Sequence, residues 1–265
     1  MFKDAIGILD CGVEGFNILE VLTQRFKHEN FVYVGDVKNN PYYNLSSDNV
    51  KELIRKNLEI LKNENVKLII VTSDVICDLG KEELEKLNIP VFDIVSILTD
   101  YVNDNYEQKN IALFAKEKVI DANLYQKNFK YNRLFNIISD EVEEVIFTKN
   151  LKTSQSFFKT KEAFKQLLLK NVDVIVTSSP CLIYLKTEIG EYVKFEEITN
   201  FGEIVANKIN NEFIKLNQKS RGKVLVYNNI EKKKFQEMTY YTNIKYKYID
   251  LEKKFRKQKN KKAVF

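Results

Sequence analysis

Two stretches of similar design stand out for the chemistry their residues could carry, Val71-Thr72-Ser73-Asp74-Val75-Ile76-Cys77 and Val176-Thr177-Ser178-Ser179-Pro180-Cys181-Leu182. In each, a β-rich apolar run (Val66 to Val71, then Val172 to Val176) stops at small hydroxyl residues and a helical pattern follows. In an open α/β sheet, ligands bind beyond the carboxyl ends of the strands, where helix N-termini offer free N–H groups. Ser73 and Ser178 mark those ends, but a serine without a dedicated base is a weak nucleophile and a weaker general base. The single histidine, His28, lies among Lys27, Glu29 and Asn30 at the end of a helical pattern and reads as a solvated helix-end residue. The chain also has three cysteines, Cys11, Cys77 and Cys181, the last two about a turn beyond the strand ends.

The elements that must position these groups alternate. Ala5 to Leu9 is a short apolar strand, followed by Asp10-Cys11-Gly12-Val13-Glu14-Gly15 and a helical pattern with Phe16, Leu19, Leu22 and Phe26 on one face. The glycine spacing of that turn does not complete a dinucleotide fingerprint, and no cofactor is expected. Phe31 to Val34 is a second strand, leading into the turn-rich Lys38-Asn39-Asn40-Pro41-Tyr42-Tyr43-Asn44. Ser46-Ser47-Asp48 offers caps for a helix through about Leu61; Val66 to Val71 is a strand, then a helix runs to Leu87 and a strand covers Asn88 to Phe92. Ile111 to Ala115 restarts the pattern, with a helix from Lys116-Glu117-Lys118 to Phe129, a strand at Leu134 to Ile138, a helix over Lys161 to Leu169 and a strand at Val172 to Val176. Phe201 to Leu216 reads as a helix, and Lys223 to Tyr227 and Tyr246 to Leu251 as strands. Strands alternating with helices imply α/β architecture with parallel, doubly wound sheets.

Composition bounds the function. A hydrophobic share of 44% and a charged share of 30% are those of a globular chain with ample core. The apolar runs fall short of the roughly 18 residues of a membrane helix, and the N-terminal residues enter a strand pattern directly, so no membrane partner and a cytoplasmic location are expected. Three cysteines without framework spacing fit a reducing compartment. The net charge of +5 is partly local: Lys253 to Lys262 holds seven cations and no acid, a solvated terminus or a contact for nucleic acid or an acidic protein.

From about Ala5 to Leu251 the chain resembles glutamate racemase, of the aspartate/glutamate racemase superfamily. Ile8-Leu9-Asp10-Cys11-Gly12-Val13-Glu14-Gly15 corresponds to that family's F-D-S-G-V-G-G opening. Tyr33-Val34-Gly35-Asp36 and Pro41-Tyr42-Tyr43 correspond to Y-F-G-D and P-Y-G, and Asn88-Ile89-Pro90-Val91 to its I-P-V strand. The resemblance implies two doubly wound parallel-sheet domains related by a pseudo-twofold axis with a cleft between them. Residues 1–97 with 207–265 would form the first domain and 98–206 the second. It also implies a cofactor-independent, metal-free reaction. One cysteine thiolate removes the α-proton of glutamate while another thiol delivers a proton to the opposite face, interconverting L- and D-glutamate for peptidoglycan. An amino acid or dicarboxylate is the implied ligand, and a homodimer the implied assembly.

The sequence departs from that pattern where the reaction would occur. The family's first catalytic motif, C-N-T, falls on Ser73-Asp74-Val75, and its second, C-T-H, on Ser178-Ser179-Pro180. Both thiols become hydroxyls. The glycine after P-Y is Tyr43, and family threonines fall on Lys116 and Val119. Cys77 and Cys181 stand four and three residues beyond the aligned serines, roughly 5–6 Å along a helix, and are expected to be buried small hydrophobes. Cys11 replaces a pocket serine beside the retained Asp10 and near a helix N-terminus, which can lower a thiol pKa. The substrate shell carried over from the resemblance is Asp10, Cys11, Pro41, Tyr42, Tyr43, Asp74, Val75, Ser179 and Pro180. Three readings follow: a family member with racemisation lost or greatly reduced, an enzyme using Cys11 or displaced thiols, or a non-catalytic binding protein with a basic tail.

Overall fold

The computed structural model describes residues 4–212 and 214–253. Of the basic run, all but Lys253 lies outside the described residues. The chain divides into two compact units, Met1–Phe92 with Phe213–Phe265, and Asp93–Glu212.

The first unit begins with β1 (Ala5–Leu9), α1 (Phe16–Arg25) and β2 (Phe31–Val34), then α2 (Ser47–Asn63) and β3 (Val66–Val71). Two short helices, α3 (Asp74–Leu79) and α4 (Lys81–Glu85), lead to β4 (Val91–Asp93). The second unit runs α5 (Ile94–Tyr106), β5 (Lys109–Ala115), α6 (Glu117–Asp121), β6 (Tyr131–Ile138), α7 (Asp140–Phe147) and α8 (Ser154–Phe164). It continues with β7 (Val174–Thr177), a 3-10 helix (Pro180–Leu185), α9 (Lys186–Gly190), β8 (Glu197–Ile198) and α10 (Phe201–Asn211). The chain then returns to the first unit with β9 (Val224–Asn228), α11 (Lys232–Met238) and β10 (Lys247–Asp250).

The first sheet has the order β10-β9-β2-β1-β3-β4, the second β6-β5-β7-β8. β1 pairs in parallel with β2 and β3, β9 with β2 and β10, and β5 with β6 and β7. Both units are thus α/β with parallel sheets.

Side chains alternate across a strand, and in β2 they show why both faces must be covered. Val32 and Val34 join the apolar cluster under α2, which contributes Val50, Ile54, Leu58 and Leu61 at helical spacing. Tyr33 points to the other face, where Phe16 of α1 meets it edge-on at 5.3 Å between centroids and meets Phe235 of α11 at 5.1 Å. The start of α2 is set by Ser46, whose hydroxyl accepts from the Asn49 amide at 3.4 Å. In the second unit the central strand β5 is buried from Ile111 to Ala115, and Phe114 packs on Phe164 of α8 at 4.9 Å.

Several expected boundaries shift. The helix expected from Asp74 to Leu87 is broken at Gly80, where a Cβ would meet the Ile76 carbonyl and Ile54 Cδ1 at 2.6 Å. The helix expected over Lys161 to Leu169 starts earlier, because Thr153 and Ser156 form a capping box at its N-terminus. The helix from Glu117 ends at Asp121, well before Phe129, and α10 ends at Asn211 rather than Leu216. α5, α7, α9, α11 and β8 go beyond the expected elements; β8 is two residues long, too short for a periodic signal. After Ser178-Ser179 the chain forms a 3-10 helix beginning at Pro180, whose ring suits a first helical position.

Candidate functional site

The carboxyl ends of β1, β2 and β3 carry the first cluster. Asp10 follows β1 directly and is fully buried. Its carboxylate accepts the Gly12 amide at 3.1 Å, the Gly15 amide at 2.8 Å and the Tyr33 hydroxyl at 2.5 Å. Burial, with the Glu14 charge adding to it, lifts the Asp10 carboxyl to about 6, against the opposing pull of those three donors. Burial and the neighbouring Asp10 charge raise the Tyr33 phenol well above its ordinary value, so it stays a donor. The tight turn needs Gly15: a Cβ there would lie 2.1 Å from Thr72 Oγ1.

This turn places Cys11 Sγ 3.1 Å from Ser73 Oγ and within 3.4 Å of Asn40 Oδ1. Cys11 is 4% exposed and Ser73 equally so. Ser73 occupies the N-cap of α3 but makes no side-chain cap bond, so its hydroxyl is turned to the thiol. The following loop contains a cis Asn40–Pro41 peptide and brings in Tyr42, whose hydroxyl donates to Asp36 Oδ2 at 2.5 Å. Asp36 also accepts from Asn39 at 2.7 Å and from Asn229. Tyr43 is half-buried, its hydroxyl without a partner among the described residues; burial and then the Asp74 charge raise its pKa. Val75 is buried and Asp74 half-buried in the first turn of α3.

The second cluster lies at the carboxyl ends of β5 and β7. Ser178 is 2% exposed, and its hydroxyl has no partner among the described residues. Ser179 Oγ stands 3.2 Å from Cys181 Sγ, which in turn donates to Glu143 Oε1 at 3.6 Å. Lys116, immediately after β5, holds Glu143 Oε2 at 3.0 Å. Cys181 is therefore buried as expected, but as a hydrogen-bonded thiol rather than an inert hydrophobe. Cys77 is half-buried against the apolar cluster of the first unit. Pro180 is buried, as is Val119. His28 is exposed, its Nδ1 2.8 Å from the Ser220 carbonyl.

No family model matches this chain. Among curated proteins it is 26% identical over 198 residues to the glutamate racemase of Thermoanaerobacter sp., covering 71% of this chain and 74% of that one. It is 25% identical over 233 residues to that of Fusobacterium nucleatum, covering 84% and 87%. Among solved structures, a glutamate racemase isoform from Bacillus anthracis matches with a TM-score of 0.82 at 20% identity, over 94% of this chain and 98% of that one. The Francisella tularensis glutamate racemase in complex with D-glutamate matches at 0.79 and 17% identity, over 93% and 96%. This chain is similar in sequence to glutamate racemases over most of its length and shares their fold. Tyr33, Asp36, Asn40 and Glu143 are polar residues around the strand ends that the sequence does not single out as site residues. Tyr33 and Asp36 carried a signal, the Tyr33-Val34-Gly35-Asp36 match; Asn40 and Glu143 are identified only by their contacts.

Proposed function

We propose that this chain is a glutamate-racemase-family protein acting on an amino acid or dicarboxylate, with two-faced racemisation lost or greatly reduced. The observation that carries this reading is that Ser73 and Ser178 stand at the positions aligned with the family's two cysteines. A hydroxyl must give up its proton before it can abstract one, and its pKa lies far above that of a thiol. Among the described residues neither serine has a histidine or carboxylate as its own hydrogen-bond partner: Ser73 faces a thiol, and Ser178 Oγ has no partner. In a member that retained both thiols, the product would be D-glutamate for the cell wall.

A second reading is favoured by one distance. Cys11 Sγ lies 3.1 Å from Ser73 Oγ, so a thiol sits beside the aligned position, displaced by one side chain. A Cys11 thiolate can take the α-proton from one face of a bound amino acid and return a solvent proton to the same face. That gives exchange with retention, since inversion needs a second acid on the other face.

The test is incubation of the full chain with L- and D-glutamate in deuterated water, reading α-deuterium by NMR and enantiomer by chiral chromatography. The first reading expects no inversion of either enantiomer; rapid interconversion sinks it. The second expects exchange of one enantiomer with its configuration kept, abolished by Cys11→Ser; no exchange, or exchange indifferent to that substitution, rejects it.

A further inference from the structure

The opposite, amino-terminal edge of the first sheet carries a feature unrelated to these strand ends. A cavity of about 930 Å³ opens under the end of α1, bounded by the segment that follows this helix, the segment before β9 and the segment before β10. Each segment contributes cations to the walls, Lys27 and His28 from the first, Arg221 from the second and Lys245 from the third; Phe26 and Ile244 line the same space.

Main-chain contacts hold the three segments together. The Gly222 amide donates to the Lys27 carbonyl at 2.9 Å, and the Phe31 amide to the Lys223 carbonyl at 2.9 Å. A Cβ on residue 222 would lie 1.7 Å from the Glu29 carbonyl oxygen, so only glycine lets the second segment pass this close to the first. In the third segment, the Asn243 amide donates to Glu20 Oε1 of α1 at 2.7 Å. Lys27, Arg221 and Lys245 thus leave the chain within two residues of fixed backbone. His28 is oriented as well: its Nδ1 lies 2.8 Å from the Ser220 carbonyl, which can only accept, so Nδ1 carries a proton.

The charge in the cavity is one-sided. Among the described residues Lys27, Arg221 and Lys245 form no ion pair, and all three are exposed. Glu29, the one acid among the described lining residues, is buried, and its carboxylate accepts from Lys67 Nζ and from Asn217 Nδ2, both at 2.9 Å. A helix C-terminus attracts cations on its own account, which covers Lys27 and His28. Arg221 and Lys245 come from segments well beyond the preceding helices, so the end of α1 does not account for them. Like charges gathered around a concavity raise its local potential and repel one another, which a bound anion relieves.

The number of cations and the size of the space select the anion. Three cations and an imidazole reach in from three segments, more donors than the two oxygens of a carboxylate can engage. A phosphate monoester offers three terminal oxygens and close to two negative charges, and an arginine can hold two of those oxygens at once. The space is far larger than a phosphate group needs and falls in the range of sites that enclose a whole small molecule. The half-buried Phe26 and Ile244 supply apolar surface for the remainder. We propose that this cavity binds a small phosphate monoester with an aromatic or apolar body, the phosphate engaged by Lys27, Arg221 and Lys245 and the body resting against Phe26 and Ile244. The proposal is independent of the racemase reading, since none of its residues belongs to the two strand-end clusters.

His28 is the only histidine in the chain, so its imidazole gives the cavity a single reporter in an NMR spectrum. The test titrates the full chain with phenyl phosphate, inorganic phosphate and benzoate at fixed pH and ionic strength. Phenyl phosphate should shift the His28 signals to saturation. It should bind at least about tenfold more tightly than inorganic phosphate, which lacks the body, and than benzoate, which lacks the third oxygen and the second charge. Arg221→Ala and Lys245→Ala should each weaken phenyl phosphate binding about tenfold, the scale of a lost charge-assisted hydrogen bond, with an unchanged thermal midpoint establishing that the variants are folded. Absence of a saturable His28 shift overturns the proposal, as does saturable binding that neither substitution weakens. Inorganic phosphate binding as tightly as phenyl phosphate overturns it by making the cavity a site for the free ion, and benzoate binding as tightly overturns it by making the cavity a carboxylate site.

Discussion

Cys11 and Ser73 are in contact at 3.1 Å, and under the proposed correspondence with glutamate racemase, serine at residue 11 and cysteine at 73, thiol and hydroxyl stand in each other's places. The exchange is testable as such. In the double variant Cys11→Ser, Ser73→Cys the thiol returns to the end of β3 with no change in the local atom inventory, so the fold should be retained. Combined with Ser178→Cys, it should produce glutamate racemisation above the parent by at least about tenfold, the scale of a positioned general base. Racemisation no faster than that of the parent, measured by chiral chromatography on folded protein, would show that the substrate pocket itself is gone. Asp10 makes a different kind of prediction. Its carboxyl is raised from 3.8 to about 6 in the folded protein, chiefly by burial. Between those values the native state keeps a proton that the unfolded chain has lost, so stability falls as pH rises through the window and levels off above it. The loss is on the order of 3 kcal/mol by the size of the shift. Denaturant midpoints measured from pH 4 to pH 7 should fall in the parent relative to Asp10→Asn, which has no proton to lose; parallel profiles would count against a raised Asp10.

At the scale of elements, the turn between β1 and α1 is the piece on which the first cluster depends. Gly15 lets α1 start against Thr72 while its amide holds Asp10, and a Cβ would fall 2.1 Å from Thr72 Oγ1. Gly15→Ala should therefore destabilise the protein by roughly 1–3 kcal/mol, the range for overpacking a filled site, and loosen the Cys11–Ser73 contact with it. Urea unfolding checks the first effect, and faster alkylation of Cys11 the second. These strand-end turns were legible in the sequence because an apolar run that stops at Asp10 or at Thr72-Ser73 has few other readings. Other elements were less so. α7 is short and interrupts its buried Val142, Val145 and Ile146 with four acidic residues, which masks a helical face. Gly80 splits an otherwise continuous helical pattern because of Ile54, a residue from another helix. The Cys11–Ser73 contact spans 62 positions, and the Glu143–Cys181 contact 38; no local pattern encodes either. What the sequence did carry was the absence of cysteine from both aligned positions, a statement about residue type that needs no geometry.

For the molecule as a whole, the two units differ in how the chain builds them. The second is contiguous, Asp93–Glu212, with its four strands all drawn from that span. The first is not, because β9 and β10 come from the far end of the chain and β9 pairs residue for residue with β2, Phe31 against Val224 through Val34 against Tyr227. Without them, β2 becomes an edge whose four residues are otherwise buried, and Tyr33 and Phe16 lose Phe235 from their aromatic cluster. An exposed apolar parallel edge is both unstable and prone to pair with other chains. A fragment of residues 1–92 should therefore show no cooperative thermal transition and should aggregate, whereas a fragment of residues 93–212 should unfold cooperatively on its own. Circular dichroism with sedimentation distinguishes the outcomes. A cooperative, monomeric 1–92 fragment would mean that β9 and β10 add an edge to a sheet already able to stand, and that the long return of the chain serves something other than completing this core.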